Sequence, residues 1–99
     1  MSTTPYTVER AYRVGIRVRI LPPTNTYGAR FRVWRSDENY SADPDHITVG
    51  YNHALDSADN AAAAVRYYLS RKGEHADSWR GRWVLADAGG SDWMAVRVP

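Results

Sequence analysis

YRVGIRVRI at residues 12–20 and ARFRVWR at residues 29–35 are the two segments that decide the fold. In both, apolar and polar side chains alternate, which is the pattern of a half-buried β-strand. Paired as a hairpin, the segments give one apolar face, made of Val14, Ile16, Val18, Ile20, Phe31 and Val33. The opposite face then carries Arg13, Arg17, Arg19, Arg30, Arg32 and Trp34. The sequence therefore predicts a sheet with a core face and an arginine-lined face.

The charge of the chain is unevenly distributed. Residues 1–35 contain seven arginines and one acidic residue, residues 36–62 contain six acidic and no basic residues, and residues 63–99 have a net charge of +2. Like charges on one face of a sheet cost free energy unless an opposite charge lies nearby. Either the acidic segment folds across the arginines, or the arginines meet an external anion, and these alternatives predict different functions.

The remaining elements follow from periodicity and caps. We expect a third strand at His46–Tyr51, a fourth at Trp79–Asp87 and a fifth at Trp93–Val98, with a hairpin turn at Ala88–Ser91 between the last two. A helix begins after the N-cap candidates Asp56 and Ser57, and Arg71, Lys72 and Gly73 close it. Its apolar stripe consists of Ala58, Ala61, Ala62, Val65, Tyr68 and Leu69.

These elements predict an α+β fold. One helix covers only one side of a sheet, so we expect an antiparallel sheet of about five strands, in the order β-β-β-α-β-β, with the helix on its apolar face. A chain of 99 residues is expected to form one domain, 1–99, with residues 1–8 as a flexible leader. The chain has no cysteine, which excludes a disulfide framework or a thiolate metal site.

Targeting signals are not evident. No apolar run approaches the roughly 20 residues that a membrane-spanning helix needs, and Met1–Arg10 lacks the apolar stretch of a signal peptide. We therefore expect a cytoplasmic protein that does not insert into a membrane.

The loop between the first two strands is a candidate anion site. Thr24, Asn25, Thr26, Tyr27 and Arg30 bring hydroxyl, amide and guanidinium groups close together, as a phosphate cradle requires. The alternative is an ordinary loop, in which Thr and Asn side chains bond to their own backbone and Gly28 takes a positive φ.

This loop also carries a resemblance to a known group of proteins. Together with Tyr51, Ala54 and Leu55, and with Asn60 and Ala64 at the helix start, it resembles small uncharacterised proteins of phages, plasmids and integrative elements. That group has a Pro-x-Thr-Asn-Thr-x-Gly-x-Arg loop, a Tyr-x-x-Ala-Leu step and an Asn-x-x-x-Ala helix start. The resemblance covers roughly residues 16–70 and implies a phage or mobile-element origin, but no mechanism.

Aromatic residues divide into two groups. Tyr68, Trp79 and Trp83 are expected in the core, because a domain with one helix needs large side chains to fill it. Trp34 and Tyr27 are expected to be exposed, where they could stack on nucleic-acid bases.

Catalytic signatures are weak. Asp43, Asp45 and His46 are the nearest approach to a metal or nuclease site, although Pro44 separates the carboxylates. His53 and His75 have no serine or cysteine partner in a recognisable motif. We therefore expect no enzymatic activity, no cofactor and no metal.

The sequence favours a non-enzymatic binding protein. Arg13, Arg17, Arg19, Arg30 and Arg32 would bind nucleic-acid phosphates, Thr24, Asn25 and Thr26 would fix one phosphate, and Tyr27 and Trp34 would contact bases. The alternative is a protein-interaction module, such as an inhibitor of a host or defence complex, or a homodimer. The net charge of only +2 favours this alternative.

Overall fold

The computed structural model describes residues 5, 15–26, 28–72 and 79–98 of the chain. Its elements are β1 (Ile16–Leu21), β2 (Arg30–Arg35), a 3₁₀ turn (Tyr40–Ala42), β3 (Ile47–Gly50), α1 (Ser57–Ser70), β4 (Arg82–Gly89) and β5 (Asp92–Val98). The strands form one antiparallel sheet in the order β3-β2-β1-β5-β4. The predicted α+β class and element order are confirmed.

The hairpin of β1 and β2 forms the centre of the sheet with the expected alternation. Val18 lies opposite Val33 and Ile20 opposite Phe31, so the apolar side chains share the face against which α1 packs. Ile16, Val18, Phe31 and Val33 are almost fully buried there. Trp79 and Tyr68 are buried in the same core and Trp83 packs against it, as predicted.

The helix starts where predicted, but it is rotated about its axis relative to the predicted orientation, so a different set of residues is buried. The Asp56 carboxylate accepts a hydrogen bond from the Asp59 N–H, which confirms the N-cap. The buried face, however, contains Asn60, Ala61, Ala64, Val65 and Tyr68, whereas Ala58 is exposed. The predicted stripe was wrong at Ala58 because the polar residue Asn60 takes a buried position. Gly73, the expected residue after the helix, lies outside the described part.

Asn60 holds the chain that leads into the helix. Its side-chain oxygen accepts from the Asn52 N–H at 2.8 Å, and its amide donates to the carbonyl oxygens of Asn52, Leu55 and Asp56. Asn60 is 5% exposed, so these bonds are largely shielded from water. The Tyr-x-x-Ala-Leu step and the asparagine that follows it thus form a structural clamp.

Strand boundaries differ from the prediction at several ends. β1 includes Leu21, and positions 12–14 of the predicted strand lie outside the described residues. β4 begins at Arg82 instead of Trp79 and extends to Gly89, so the turn that follows is shorter than expected. Gly89 and Gly90 have φ values of +91° and +60°, which explains the glycine pair at this turn. In the part of the chain that is described, no helix is long and apolar enough to cross a membrane.

Candidate functional site: an arginine pocket on the open face

The face of the sheet opposite α1 is called the open face here. It contains a pocket of about 220 Å³, the arginine pocket. The lining residues are Arg17, Arg19, Arg32, Trp34, Glu38, Asn39 and Tyr40. The first four come from the β1–β2 hairpin and the last three from the segment that follows β2.

The register of the hairpin brings the three arginines together. Arg19 lies directly opposite Arg32, and Arg17 lies two residues before Arg19 on the same face, opposite Trp34. All three arginines are exposed. Directly opposed like charges repel, so this arrangement favours a negative group at the pocket.

One carboxylate already meets Arg19. Asp92 begins β5 and lies opposite Arg19 in the β1–β5 ladder. Its two oxygens accept from Arg19 Nε at 2.8 Å and from Arg19 Nη2 at 3.2 Å. This hydrogen bond lowers the pKa of Asp92 and raises the pKa of Arg19, and the charge of Arg17 also lowers the pKa of Asp92. The Arg19 side chain remains 49% exposed, so it can still contact a ligand.

Tyr40 covers one edge of the pocket. The Arg32 guanidinium lies 4.7 Å from the centre of the Tyr40 ring, and Trp34 packs edge-on against the same ring at 5.8 Å. Trp34 is only 7% exposed, so the prediction of an exposed Trp34 was wrong. Tyr40 covers it, and Trp34 can supply the wall of the pocket but no free stacking surface.

The acidic segment, residues 36–62, does not neutralise the pocket. Asp37 bonds to Arg35 Nη2 at 2.9 Å, and Asp45 bonds to Lys72 Nζ at 2.8 Å. Asp43 is fully buried and accepts from the Tyr68 hydroxyl at 2.6 Å. Only Glu38 among the acidic residues of this segment lines the pocket. Apart from Glu38, the carboxylates of this segment therefore do not approach the arginines, and Arg17, Arg19 and Arg32 remain exposed.

Asp43 anchors the acidic segment to the core. Besides the Tyr68 hydroxyl it accepts from the backbone N–H groups of Arg35 and Asp45, at 2.9 and 2.8 Å. Burial by itself would raise the pKa of Asp43, but these hydrogen bonds and the charge of Lys72 together hold it below its ordinary value. Burial, and then the bond to Asp43, raise the pKa of Tyr68 far above its ordinary value.

The Thr-Asn-Thr loop does not contribute to this pocket. None of Thr24, Asn25 and Thr26 lines it, and the Thr26 N–H donates to Thr24 Oγ1 at 3.3 Å, which is local capping within the loop. The positive φ expected of Gly28 stays a prediction, because that angle involves Tyr27, which lies outside the described residues. Arg30 shares the face but lies beyond the pocket, opposite Leu21 and Gly50. The predicted sites Arg13 and Tyr27 lie outside the described residues.

The residues considered as metal ligands are used for other contacts. His46 Nδ1 lies 2.6 Å from the Asp43 backbone oxygen, and the carboxylates of Asp43 and Asp45 have the partners given above. Among residues 15–26, 28–72 and 79–98, no group of three or more histidine, cysteine or acidic side chains is arranged to hold a metal ion.

Sequence reasoning missed three of the seven residues that line the pocket, and also Asp92, which bonds to Arg19 beside it. Asp92 gave no local signal, because its approach to Arg19 depends on the pairing of β1 with a strand 73 residues away. Glu38, Asn39 and Tyr40 were assigned to a loop, and nothing in their spacing indicated that the loop turns back over the open face.

Comparison of the chain with family models, with characterised proteins and with solved structures gives no match in any of the three.

Proposed function

We propose that the chain is a small non-enzymatic protein that binds nucleic-acid phosphates through Arg17, Arg19 and Arg32. The observation that carries this proposal is the arginine pocket itself. Three exposed guanidinium groups line it and only Arg19 among them has a carboxylate partner in the described residues, Asp92, while Asp37, Asp43 and Asp45 are bonded to other groups. A phage or mobile-element origin and a cytoplasmic location belong to the same proposal, and the origin is supported only by the resemblance of the loop and helix-start motifs.

The chemistry of the pocket favours backbone contacts over base recognition. Guanidinium groups bind phosphate oxygens through paired, charge-assisted hydrogen bonds. The two nearby aromatic rings, Trp34 and Tyr40, pack against each other, and Arg32 lies over Tyr40. Because neither ring offers a free face next to the arginines, little sequence preference is expected.

Glu38 limits the affinity of the pocket. It places one negative charge beside three positive charges, and its Oε2 atom is buried without a hydrogen-bond partner among the described residues. An incoming phosphate is attracted by the arginines and repelled by this carboxylate. Modest, strongly salt-dependent binding is therefore expected.

The proposal is tested by fluorescence anisotropy with labelled single-stranded DNA, duplex DNA and RNA at increasing salt. Arg17→Ala and Arg32→Ala should each weaken binding and reduce the slope of log affinity against log salt by about one. Arg66→Ala is the matched control, because Arg66 is an exposed arginine of α1, on the other side of the sheet. Absence of binding to all three probes at low salt, or equal losses in the three variants, would reject the proposal.

A protein partner is the second candidate, and one observation favours it. Beside the arginines, β4 and β5 present Val84, Met94 and Val96 on the same open face. A surface that is half basic and half apolar suits an acidic, partly apolar protein. Capture of a host protein by the wild-type chain after nuclease treatment, lost in Arg17→Glu, would favour this candidate.

A further inference from the structure

The two edges of the sheet are unequal. β3 forms one edge, has only four residues, and is approached by Tyr40, whose hydroxyl bonds to Thr48. β4 forms the other edge, has eight residues, and within the described parts of the chain pairs only with β5. Its charged side chains, Arg82 and Asp87, stand near its two ends. A long edge strand with an uncharged centre is a template for pairing with another strand.

Apolar groups border this edge on both faces. On the open face, Val84 is 40% exposed. On the helix face, a pocket of about 250 Å³ lies between α1 and the strands β4 and β5. Its lining includes Val65 and Leu69 of the helix and Trp83 and Leu85 of β4. The pocket exists because α1 packs mainly on β2 and β1 and leaves the β4 side of the sheet incompletely covered.

We propose that β4 pairs with β4 of a second copy of the chain, antiparallel, about a twofold axis at Val84. Such an interface is self-complementary, as a twofold dimer requires. Each Val84 then faces its counterpart on the open face, and each Trp83 faces Leu85 of the other copy beside the apolar pocket. The neighbouring register, centred on Leu85, would instead place Trp83 opposite Asp87. The register at Val84 therefore covers more apolar surface.

Charge favours a second copy in this orientation. Arg82 and Asp87 lie toward opposite ends of β4. Antiparallel pairing at Val84 keeps the two Arg82 side chains apart and the two Asp87 side chains apart, whereas parallel in-register pairing would place each charge beside its like-charged counterpart. The antiparallel orientation therefore avoids like-charge contacts along the strand.

The pairing is independent of the proposed nucleic-acid binding. The arginine pocket is on β1 and β2, and β5 separates both strands from β4. A twofold axis perpendicular to the sheet leaves the open face on the same side of both copies. Failure of the dimer would leave the arginine pocket unaffected, and loss of nucleic-acid binding would not affect the dimer.

Cysteine crosslinking tests the register. The chain has no cysteine, so a single Val84→Cys substitution gives an unambiguous readout. Directly opposed residues of an antiparallel pair have Cβ atoms about 4.5–5.5 Å apart, close enough for a disulfide after small adjustment. Val84→Cys should form a disulfide-linked dimer on mild oxidation, and the control Tyr67→Cys, at an exposed helix position outside the lining of the apolar pocket, should not. Equal crosslinking in both variants, or none in either, would overturn the proposal.

Sedimentation gives a second test, which does not depend on a crosslink. The wild-type chain should sediment at about twice its monomer mass of 11.2 kDa. Val84→Lys should sediment as a monomer with an unchanged circular dichroism spectrum, because position 84 is exposed in the single chain and edge lysines block strand pairing. A monomeric wild type, or a Val84→Lys variant that remains dimeric, would overturn the proposal.

Discussion

At the residue scale, Asp43 shows how one side chain can change the interpretation of a segment. From its spacing to Asp45 and His46 it is a metal-ligand candidate, but in the structure it accepts three hydrogen bonds inside the protein. The decisive partner, Tyr68, lies 25 residues away in the sequence. Local spacing carries no information on such a contact, so this part of the site could not be predicted.

Tyr68→Phe tests the role of this bond. Because the pKa of Asp43 is lower in the folded chain, its ionisation stabilises the fold above the unfolded-state pKa, and this stabilisation is lost as the pH falls through the folded-state pKa. Losing the Tyr68 hydroxyl raises the folded-state pKa of Asp43. Acid unfolding should then begin at higher pH, and the free energy of unfolding near neutral pH should fall by about 1.5–3 kcal/mol.

The control for this measurement is Tyr67→Phe, since Tyr67 is the adjacent helix residue and is 51% exposed. Its acid transition, followed by circular dichroism, should match that of the wild type. An acid midpoint that shifts equally in both variants would contradict the role given to the Asp43–Tyr68 bond.

The hydrogen bonds of Asn60 predict a separate effect on stability. Asn60→Ala removes the acceptor of the Asn52 N–H and the side-chain donor to the Leu55 carbonyl, while the carbonyls of Asn52 and Asp56 keep their backbone donors, so the free energy of unfolding should fall by about 2–3 kcal/mol. Asn60→Asp should be worse, because it keeps the acceptor but directs a carboxylate oxygen at those carbonyls. Urea denaturation of the two variants measures the order, and an aspartate variant as stable as the wild type would refute the clamp.

At the element scale, the prediction was accurate wherever alternation or capping is a local property. Val18 and Val33 were assigned to the core face because of period-two spacing, and Asp56 was identified as the N-cap. The acidic segment was the main gap, because its path is fixed by contacts to Tyr68 of α1 and to Lys72 just after α1 rather than by its own periodicity. Asp45 and Lys72 form one of these contacts, with the Lys72 ammonium also 4.7 and 4.6 Å from the rings of Tyr68 and Trp79.

The Asp45–Lys72 contact predicts an asymmetry between two substitutions. The Lys72 side chain is 7% exposed and that of Asp45 is 41% exposed. Asp45→Ala leaves a mostly buried ammonium without its carboxylate and should cost about 2 kcal/mol of unfolding free energy. Lys72→Met fills the same aromatic surroundings with an apolar chain and should cost less, about 0–1 kcal/mol. Thermal unfolding compares the two, and a larger loss in Lys72→Met would contradict this account.

At the scale of the whole molecule, the separation of charge along the chain is maintained in space. The acidic segment lies beside the arginine pocket, yet Glu38 is the one acidic residue of that segment in the pocket lining. Sequence composition establishes the separation, but the choice between internal pairing and an open arginine face depends on the partners of individual carboxylates. That choice required the structure.

Glu38→Gln is expected to strengthen binding. The substitution keeps the shape of the side chain and changes the balance of charge lining the pocket by one unit. Affinity for a labelled oligonucleotide at low salt should rise several-fold, and the difference should shrink as salt screens the pocket. Asp37→Asn is the control, because Asp37 pairs with Arg35 away from the pocket lining. An unchanged or lower affinity in Glu38→Gln would show that this carboxylate does not oppose the ligand.

The central claim is that Arg17 and Arg32 face solvent and take little part in holding the fold. The most direct test is chemical denaturation of the double variant Arg17→Glu/Arg32→Glu beside the wild type. We predict that the free energy of unfolding changes by no more than about 1 kcal/mol, since the interactions lost among the described residues are the contact between Arg32 and the Tyr40 ring and the attraction between the exposed Arg17 and Asp92. A loss of about 3 kcal/mol or more, or failure to fold, would show that the arginines are paired internally and would contradict the account.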